Sequence, residues 1–239
     1  MQMDRAASLR VLLDAASSAG RDPAQGLCAV CVDVLPITGA GLSLITDSGH
    51  VGTVSASSPV TARVDELQFT LGEGPCVEAF QLGGPVLEPD LNAATAARWP
   101  GFGPAAIKAG VRAAFAFPLQ VGAFRLGALN LFRDSPRPLT AEEIADALLL
   151  ADAATRILLD LQAESATGEI PAGLDDPALW QVEVHQATGM IMAQLNVRVD
   201  EAFVRLRAHA YASDRPLSEV ARDVVARRLR LDGEDRGDR

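Results

Sequence analysis

The sequence predicts an α+β protein, with an antiparallel sheet flanked by helices in its N-terminal part and a bundle of three helices at its C-terminal end. Three observations support this fold class. Paired β-rich segments outnumber alternating strand and helix segments, which favours an antiparallel sheet over a doubly wound one. Three segments after residue 177 each carry one apolar stripe at helical spacing. A stretch rich in glycine, proline and acidic residues separates the two parts.

The first predicted elements are two helices and a hairpin. Residues 5–19 and 24–35 have apolar side chains at helical spacing. Residues 39–58 contain two β-rich runs on either side of an Asp-Ser-Gly turn at 47–49, which is a hairpin signal.

A short helix and three more strands follow. Pro75, after two nearby glycines, is well placed to begin a short helix. Residues 85–91 predict a short edge strand, because their prolines are incompatible with a central one. Residues 112–132 predict two further strands around the turn at Val121 and Gly122.

A long helix is predicted over residues 141–162. Thr140 and Glu143 form a capping-box pattern at its start, and its apolar residues continue for about three heptads. Two interpretations stay open: this helix pairs with a copy of itself, or it packs only on its own sheet. We expect the pairing, and therefore a homodimer, because a long helix leading into a linker commonly joins modules.

Composition and charge divide the chain into four segments. These are an α+β domain with its connecting helix (1–162), a linker (163–177), a helical domain (178–231) and an acidic tail (232–239). The net charge of the whole chain is −10, which argues against attraction of its entire surface to nucleic acid. The helical domain is the only basic segment, with a net charge of +2, and all of its cations are arginines.

The helical domain is predicted to contain helices over 178–195 and about 200–212, and a third that begins near Pro216 with Asp214 as a possible N-cap. Gly189 interrupts the middle of the first helix, where glycine costs about 1 kcal/mol relative to alanine. Either another helix packs very closely there, or the position is a bare surface that a partner approaches.

Several classes of protein are not expected. The sequence has no run of 18 apolar residues and no signal-peptide segment at its N-terminus, so we expect a cytoplasmic protein that crosses no membrane. The three cysteines form no disulfide framework, which fits a reducing compartment. No histidine, cysteine and acidic cluster has zinc-site spacing, so no metal is predicted.

Residues 184–225 resemble the ANTAR domain, an RNA-binding three-helix domain of bacterial antitermination regulators. Five pieces of sequence carry the resemblance in the right order: Ala187-x-Gly189, Asp200-Glu201-Ala202-Phe203, Leu206-Arg207, Ala210-Tyr211 and Leu217-x-x-Val220-Ala221. The N-terminal part resembles, less sharply, a GAF sensor domain through its hairpin, its segment LGEGPC at 71–76 and the paired strands of 112–132. This combination is an arrangement seen in actinobacterial regulators.

The resemblance implies that the C-terminal domain binds paired stem-loops in nascent RNA, prevents a terminator hairpin and so promotes antitermination, under control of the sensor domain. The residues expected to contact RNA by hydrogen bonding, stacking, close approach or phosphate pairing are His185, Gln186, Ala187, Thr188, Gly189, Arg205, Arg207, Tyr211, Arg215 and Arg222. Many members of the family have a lysine where this chain has Thr188, so one phosphate contact is in doubt.

The sensor's ligand and any cofactor stay unassigned, because few polar residues are recognisable as pocket anchors and a small molecule is only one option. Phe80, Phe115 and Phe117 line a cavity or, as we expect, belong to the core.

Two other functions remain open. A DNA-binding helix-turn-helix regulator requires a polar, basic start to its recognition helix. The third helix instead begins Pro-Leu-Ser-Glu-Val. A methionine sulfoxide reductase with a GAF fold requires a reactive cysteine, and Cys76 lies near a predicted helix N-terminus, where the pKa of a thiol can fall. We expect Cys76, Cys28 and Cys31 to be structural, with redox sensing as the alternative, and the protein not to be an enzyme.

Overall fold

The computed structural model describes residues 11–12, 22–45, 51–92, 97–166, 177–213 and 215–231. The chain forms two compact units, Met1–Leu174 and Asp175–Arg239. Several predicted features lie outside the described residues: the helix at 5–19 apart from two residues, the hairpin turn at 47–49, residues 167–176 of the predicted linker, and the acidic tail.

The N-terminal unit contains an antiparallel five-stranded sheet in the order β2-β1-β5-β4-β3. Its strands are β1 (Gly39–Ile45), β2 (Val51–Ala56), β3 (Val86–Glu88), β4 (Ala113–Val121) and β5 (Phe124–Arg133). Its helices among the described residues are α1 (Pro23–Val34), α2 (Pro59–Leu71), α3 (Pro75–Leu82), α4 (Phe102–Lys108) and α5 (Ala141–Ala166). The predicted fold class is therefore confirmed, and β3 is the edge strand that its prolines indicated.

Helices cover both faces of the sheet. On one face, α1 and α5 pack on a large apolar core that includes Phe115, Phe117 and Leu129. On the other face, residues of α2, α3 and α4 pack against Ala114 and Phe132. The sheet is thus the middle of three layers. Phe115 and Phe117 are core residues, as expected.

The helix α2 was not predicted, although Val64, Leu67 and Leu71 pack at helical spacing against the apolar core, and it also buries polar side chains. Thr61, Asp65 and Gln68, at helical spacing, are all buried. They lie over β1, where Gly39 and Gly41 leave room for them: a Cβ on Gly39 would collide with Thr61, and one on Gly41 with Asp65.

The short helix α4 was also missed, because its cap comes from a distant part of the chain. The Oε1 atom of Glu73 accepts hydrogen bonds from the backbone N–H of Gly101 (2.6 Å) and of Phe102 (2.7 Å). Such a cap satisfies helix N–H groups as a local serine or aspartate would, but it leaves no local sequence pattern.

The start of α5 confirms the predicted capping box. The Thr140 N–H donates to Glu143 Oε2 (2.9 Å), and the Glu143 N–H donates to Thr140 Oγ1 (3.2 Å). The helix continues four residues beyond the predicted end, to Ala166. Its buried residues, among them Ala147, Leu150 and Leu158, pack on the sheet. Packing of α5 on its own sheet is therefore observed, and self-pairing stays a prediction for the opposite face.

The C-terminal unit is the predicted three-helix bundle. Its helices are α6 (Pro177–Leu195), α7 (Val199–Ala212) and α8 (Leu217–Val225). The buried core consists of Val184, Ala187, Ile191, Ala202, Leu206, Ala210, Leu217, Val220, Ala221 and Val224. The predicted N-cap of the third helix was wrong: Pro216 caps α8 without a side-chain hydrogen bond, and Asp214 lies outside the described residues. None of the described helices is long and apolar enough to cross a membrane.

Candidate nucleic-acid interface

The three small residues in the middle of α6 do not share one environment. Ala187 is fully buried in the bundle core. Thr188 is buried as well, and its hydroxyl donates a hydrogen bond to the Val184 carbonyl oxygen one turn earlier (2.7 Å). Around Gly189, by contrast, an added Cβ would meet no heavy atom within 4 Å. The expected open Ala-Thr-Gly face is therefore reduced to Gly189, and close packing of another helix does not explain this glycine.

Gly189 lies in the middle of an exposed patch. The residues three and four positions away in either direction share its side of the helix. They are His185, Gln186, Met192 and Ala193, and all four are exposed. We call these five residues the Gly189 surface. At its centre, Gly189 leaves the helix backbone without a covering side chain, and an imidazole, an amide and a thioether surround it. Met192 and Ala193 were not among the residues predicted to contact RNA.

Three of the arginines predicted to contact phosphate are paired with acidic side chains. Arg205 contacts Glu201 (2.8 Å), Arg222 contacts Glu183 (3.4 Å) and Arg215 contacts Asp223 (2.6 Å). The Glu201–Arg205 pair follows i,i+4 spacing and could have been found in the sequence. Arg215 also contacts Glu219 at this spacing (3.7 Å), whereas only the fold reveals that Arg215 pairs with Asp223 and Arg222 with Glu183.

Asp223 is the centre of the strongest of these contacts. Arg215 and Arg228 both donate hydrogen bonds to its carboxylate (2.6 and 2.9 Å), and these bonds hold the pKa of Asp223 below its ordinary value. The same contact with Asp223 raises the pKa of Arg215. The network ties the start of α8 to the turn that follows it. Arg215 thus has a structural partner, which it must share or release in order to contact a phosphate.

Two predicted RNA contacts on α7 are placed differently. The Tyr211 side chain is 62% exposed, so its ring is available for stacking rather than held in the core. The Arg207 guanidinium lies 5.7 Å from the centre of the Phe203 ring, and this cation–π contact orients it along the helix surface.

The cysteines of the N-terminal unit are all reduced and buried. The lowered pKa that the reductase alternative would need at Cys76 is not found. Its thiol is fully buried, and desolvation raises its pKa instead, with the Asp65 carboxyl as a second cause. The α3 N-terminus does not offset this effect, because the Cys76 N–H already donates to Gln68 Oε1 (2.8 Å). Burial likewise raises the pKa of Cys31, and that of Cys28 to about 12.

We expect the native chain to resist thiol alkylation at pH 8. The thiolate is the reacting species, and burial disfavours both its formation and its access. Mass spectrometry after iodoacetamide treatment should find fewer than one modified thiol per chain under native conditions and all three in urea. The variant Ser135→Cys, with an exposed added thiol, is the control for reagent activity. Rapid native modification of Cys76 would contradict the structural role.

A buried polar cluster lies between α2 and the sheet. The Asn130 amide donates to Ser43 Oγ (3.0 Å), and the Gln68 amide lies 3.4 Å from Asp65 Oδ1. Two acceptor atoms in the cluster, Asp65 Oδ2 and Asn130 Oδ1, have no hydrogen-bond partner. Desolvation raises the pKa of Asp65 well above its ordinary value. The neutral carboxylic acid is therefore the form of Asp65 that the fold accommodates.

Replacing Asp65 with asparagine should stabilise the chain at neutral pH. Because the folded pKa is raised, Asp65 favours folding at acid pH, and this contribution is lost as the pH rises above about 3.9, its unfolded value. The isosteric Asp65→Asn substitution removes that loss and should raise the free energy of unfolding at pH 7 by about 1–3 kcal/mol. Urea unfolding between pH 4.5 and 8 should give a flatter profile for this variant. Asp33→Asn, at an exposed carboxyl, is the control, and a lower stability of Asp65→Asn at pH 7 would contradict the assignment.

Within the described parts of the chain, no group of three histidine, cysteine or acidic side chains is arranged to hold a metal ion.

Comparison with known proteins identifies both units. The GAF domain family matches residues 8–158, and the ANTAR domain family matches residues 181–225. No curated protein matches the chain.

Solved structures with the same fold as the N-terminal unit include the GAF domain of a phosphoenolpyruvate-protein phosphotransferase from Coxiella burnetii. It has 17% identity and a TM-score of 0.51, and the match covers 69% of this chain and 98% of that one. The corresponding Acinetobacter domain has 13% identity and a TM-score of 0.50, with 68% and 95% covered. With a GAF match over more than half of its length, the chain belongs to the GAF domain family, and it carries an ANTAR domain at its C-terminal end.

Proposed function

We propose that the protein is a cytoplasmic, homodimeric, non-enzymatic regulator. Its ANTAR domain binds paired stem-loops in nascent transcripts and promotes antitermination, and its GAF domain controls that binding in response to a signal. The observation that carries this proposal is the Gly189 surface, which is open on a folded ANTAR bundle.

The shape and chemistry of this surface suit an RNA loop. Loop bases are unstacked, so proteins can stack aromatic rings on them and hydrogen-bond to their edges. His185, Gln186 and Tyr211 provide these groups from exposed positions, and Gly189 lets the RNA approach the helix backbone. Ala187 and Thr188 hold α6 in the bundle from inside, so we propose an indirect role for them.

The predicted arginine contacts divide into two groups. Arg207, oriented by Phe203, is proposed as a direct phosphate contact. Arg205, Arg215 and Arg222 contact RNA only if each guanidinium group binds a phosphate in addition to its acidic partner or in place of it. Buried Thr188 has no cationic side chain, so the phosphate contact that a lysine there would provide has to come from an arginine elsewhere.

The GAF domain supplies the proposed dimer contact and the proposed sensor. Leu148 and Leu159 on α5 remain 46% and 39% exposed, although the opposite face of the helix is buried on the sheet. These two exposed leucines support pairing of two α5 helices, which would bring two ANTAR domains to two adjacent stem-loops. A small molecule is the proposed signal. Catalysis by Cys76 is disfavoured because its thiol is fully buried and its pKa is raised.

A gel-shift experiment tests the proposal. The full chain is titrated against an RNA with two adjacent stem-loops, an RNA with one stem-loop, and duplex DNA of matched length. We expect the tightest binding to the paired stem-loops and only weak binding to DNA. A DNA-binding regulator is not favoured by α8, whose first turn carries Glu219. Preference for duplex DNA would nevertheless support a DNA-binding regulator. Equal affinity for RNA and duplex DNA, or no binding of RNA, would contradict our proposal.

A further inference from the structure

The turn after α8 contains an unusual backbone conformation. Among the described residues, only Asn196 and Arg227 combine a side chain with positive φ angles, of 53° and 58°. Asparagine visits this left-handed region readily, whereas most other side chains pay a steric cost there. Arginine is therefore the unexpected residue of the two.

Hydrogen bonds at the end of α8 require this conformation. The Arg227 N–H donates to the Val224 carbonyl (3.0 Å), and the Arg228 N–H reaches back to the Asp223 carbonyl (2.8 Å). Helices that end in this way usually have glycine at the left-handed position. The Arg228 side chain reinforces the turn through two contacts with the Asp223 carboxylate (2.9 and 2.7 Å). The turn is thus fixed by its neighbours, and the Arg227 side chain is not needed to form it.

Arg227 on this turn and Arg230, three residues further along the chain, differ from the other described arginines of the C-terminal unit. Arg227 and Arg230 are exposed and have no acidic partner among the described residues, whereas five others are in ion pairs and Arg207 lies on an aromatic ring. Both residues also lie beyond the end of the ANTAR match at residue 225. Within the described residues, two exposed guanidinium groups therefore lack an acidic partner: that of Arg227 on a fixed turn, at a conformational cost that glycine would avoid, and that of Arg230 three residues later.

We infer that Arg227 and Arg230 bind the phosphodiester backbone of RNA next to the loop-recognising surface of the ANTAR domain. This inference rests on the proposed function and adds a backbone site to it. Guanidinium groups match phosphate oxygens and carry no base preference, so the pair contributes affinity without sequence information. The left-handed backbone at Arg227, held by its neighbours, fixes the direction in which this side chain leaves the turn.

The test uses the full chain with Arg227→Gly, Arg230→Ala and the double variant. Glycine suits the left-handed turn, so Arg227→Gly should leave the melting temperature unchanged or higher. Binding to the two-stem-loop RNA at low salt should weaken about threefold for each single variant and about tenfold for the double variant. The plot of log affinity against log salt has a negative slope. Its magnitude should decrease by about 0.7 for each arginine removed, as for single-stranded contacts. An RNA with scrambled loop sequences should show the same proportional losses.

Arg198→Ala is the matched control, because it removes one exposed arginine that is paired with Asp200. Losses no larger than those of this control, with unchanged salt slopes, would overturn the inference while the proposed function stands. A lower melting temperature for Arg227→Gly, with Arg230→Ala binding normally, would assign the turn a structural role and also overturn it. If the unchanged chain does not bind RNA, the inference fails together with the proposed function.

Discussion

Replacing Gly189 with glutamate should weaken binding of the two-stem-loop RNA at least tenfold while the ANTAR helices remain folded. The position faces open space, so the new side chain does not collide with the bundle. It does, however, place bulk and a negative charge in the middle of the Gly189 surface, where a phosphate or a loop base has to approach. Circular dichroism of the variant and a filter-binding titration measure the two parts of this expectation.

Gly189→Ala separates the effect of bulk and charge from that of helix propensity. Because alanine favours helix by about 1 kcal/mol over glycine and meets no neighbour here, this variant should be more stable than the unchanged chain. Its RNA affinity should fall much less than that of Gly189→Glu. If Gly189→Glu melts the helices, the glycine serves packing after all, and if it binds RNA normally, the Gly189 surface is not the interface.

Replacing Arg133 with methionine should cost about 3–5 kcal/mol of unfolding free energy, the range for removing one partner of a buried ion pair. The Arg133 side chain at the end of β5 is only 2% exposed. It donates to the carbonyl oxygens of Pro36 (2.5 Å), Arg137 (3.1 Å) and Pro138 (3.2 Å), and it contacts Glu143 at the start of α5 (3.3 Å). Methionine fills similar space but removes the guanidinium donor of these three carbonyl oxygens. Urea unfolding monitored by circular dichroism measures the loss.

Arg137→Met is the matched control for this substitution. Arg137 also contacts Glu143, but its side chain is 47% exposed, so its removal should cost less than about 1 kcal/mol. Equal losses for the two variants would contradict the claim that burial of Arg133, rather than the charge pairing itself, makes the contact strong. The contact joins the end of the GAF sheet to the start of α5.

Local sequence patterns predicted those parts of the fold that local interactions determine. The capping box of Thr140 and Glu143 is one example, because both partners lie within a single turn. The hairpin strands and the apolar stripes of the ANTAR helices are others. In contrast, the burial of Thr61 and Asp65 on α2 was not predictable, because it depends on Gly39 and Gly41 of another element, β1. The cap of α4 escaped because Glu73 supplies it from 28 residues away.

The candidate interface was predictable only in part, because contacts between different helices leave no local sequence pattern. A helical pattern shows that Ala187, Thr188 and Gly189 are neighbours, but not which of them the other helices cover. The structure buries the first two and exposes the third. Similarly, counting arginines identified a basic segment, but not that Arg215 pairs with Asp223 on α8 or that Arg222 on α8 pairs with Glu183 on α6.

Transcript read-through tests the central claim most directly. RNA that copurifies with the full chain is sequenced, and a recovered leader with two stem-loops is placed before a terminator in single-round transcription with purified polymerase. We predict that the protein increases the read-through fraction and that Gly189→Glu does not. If the unchanged protein leaves termination unaffected on leaders that it binds, it is not an antitermination factor.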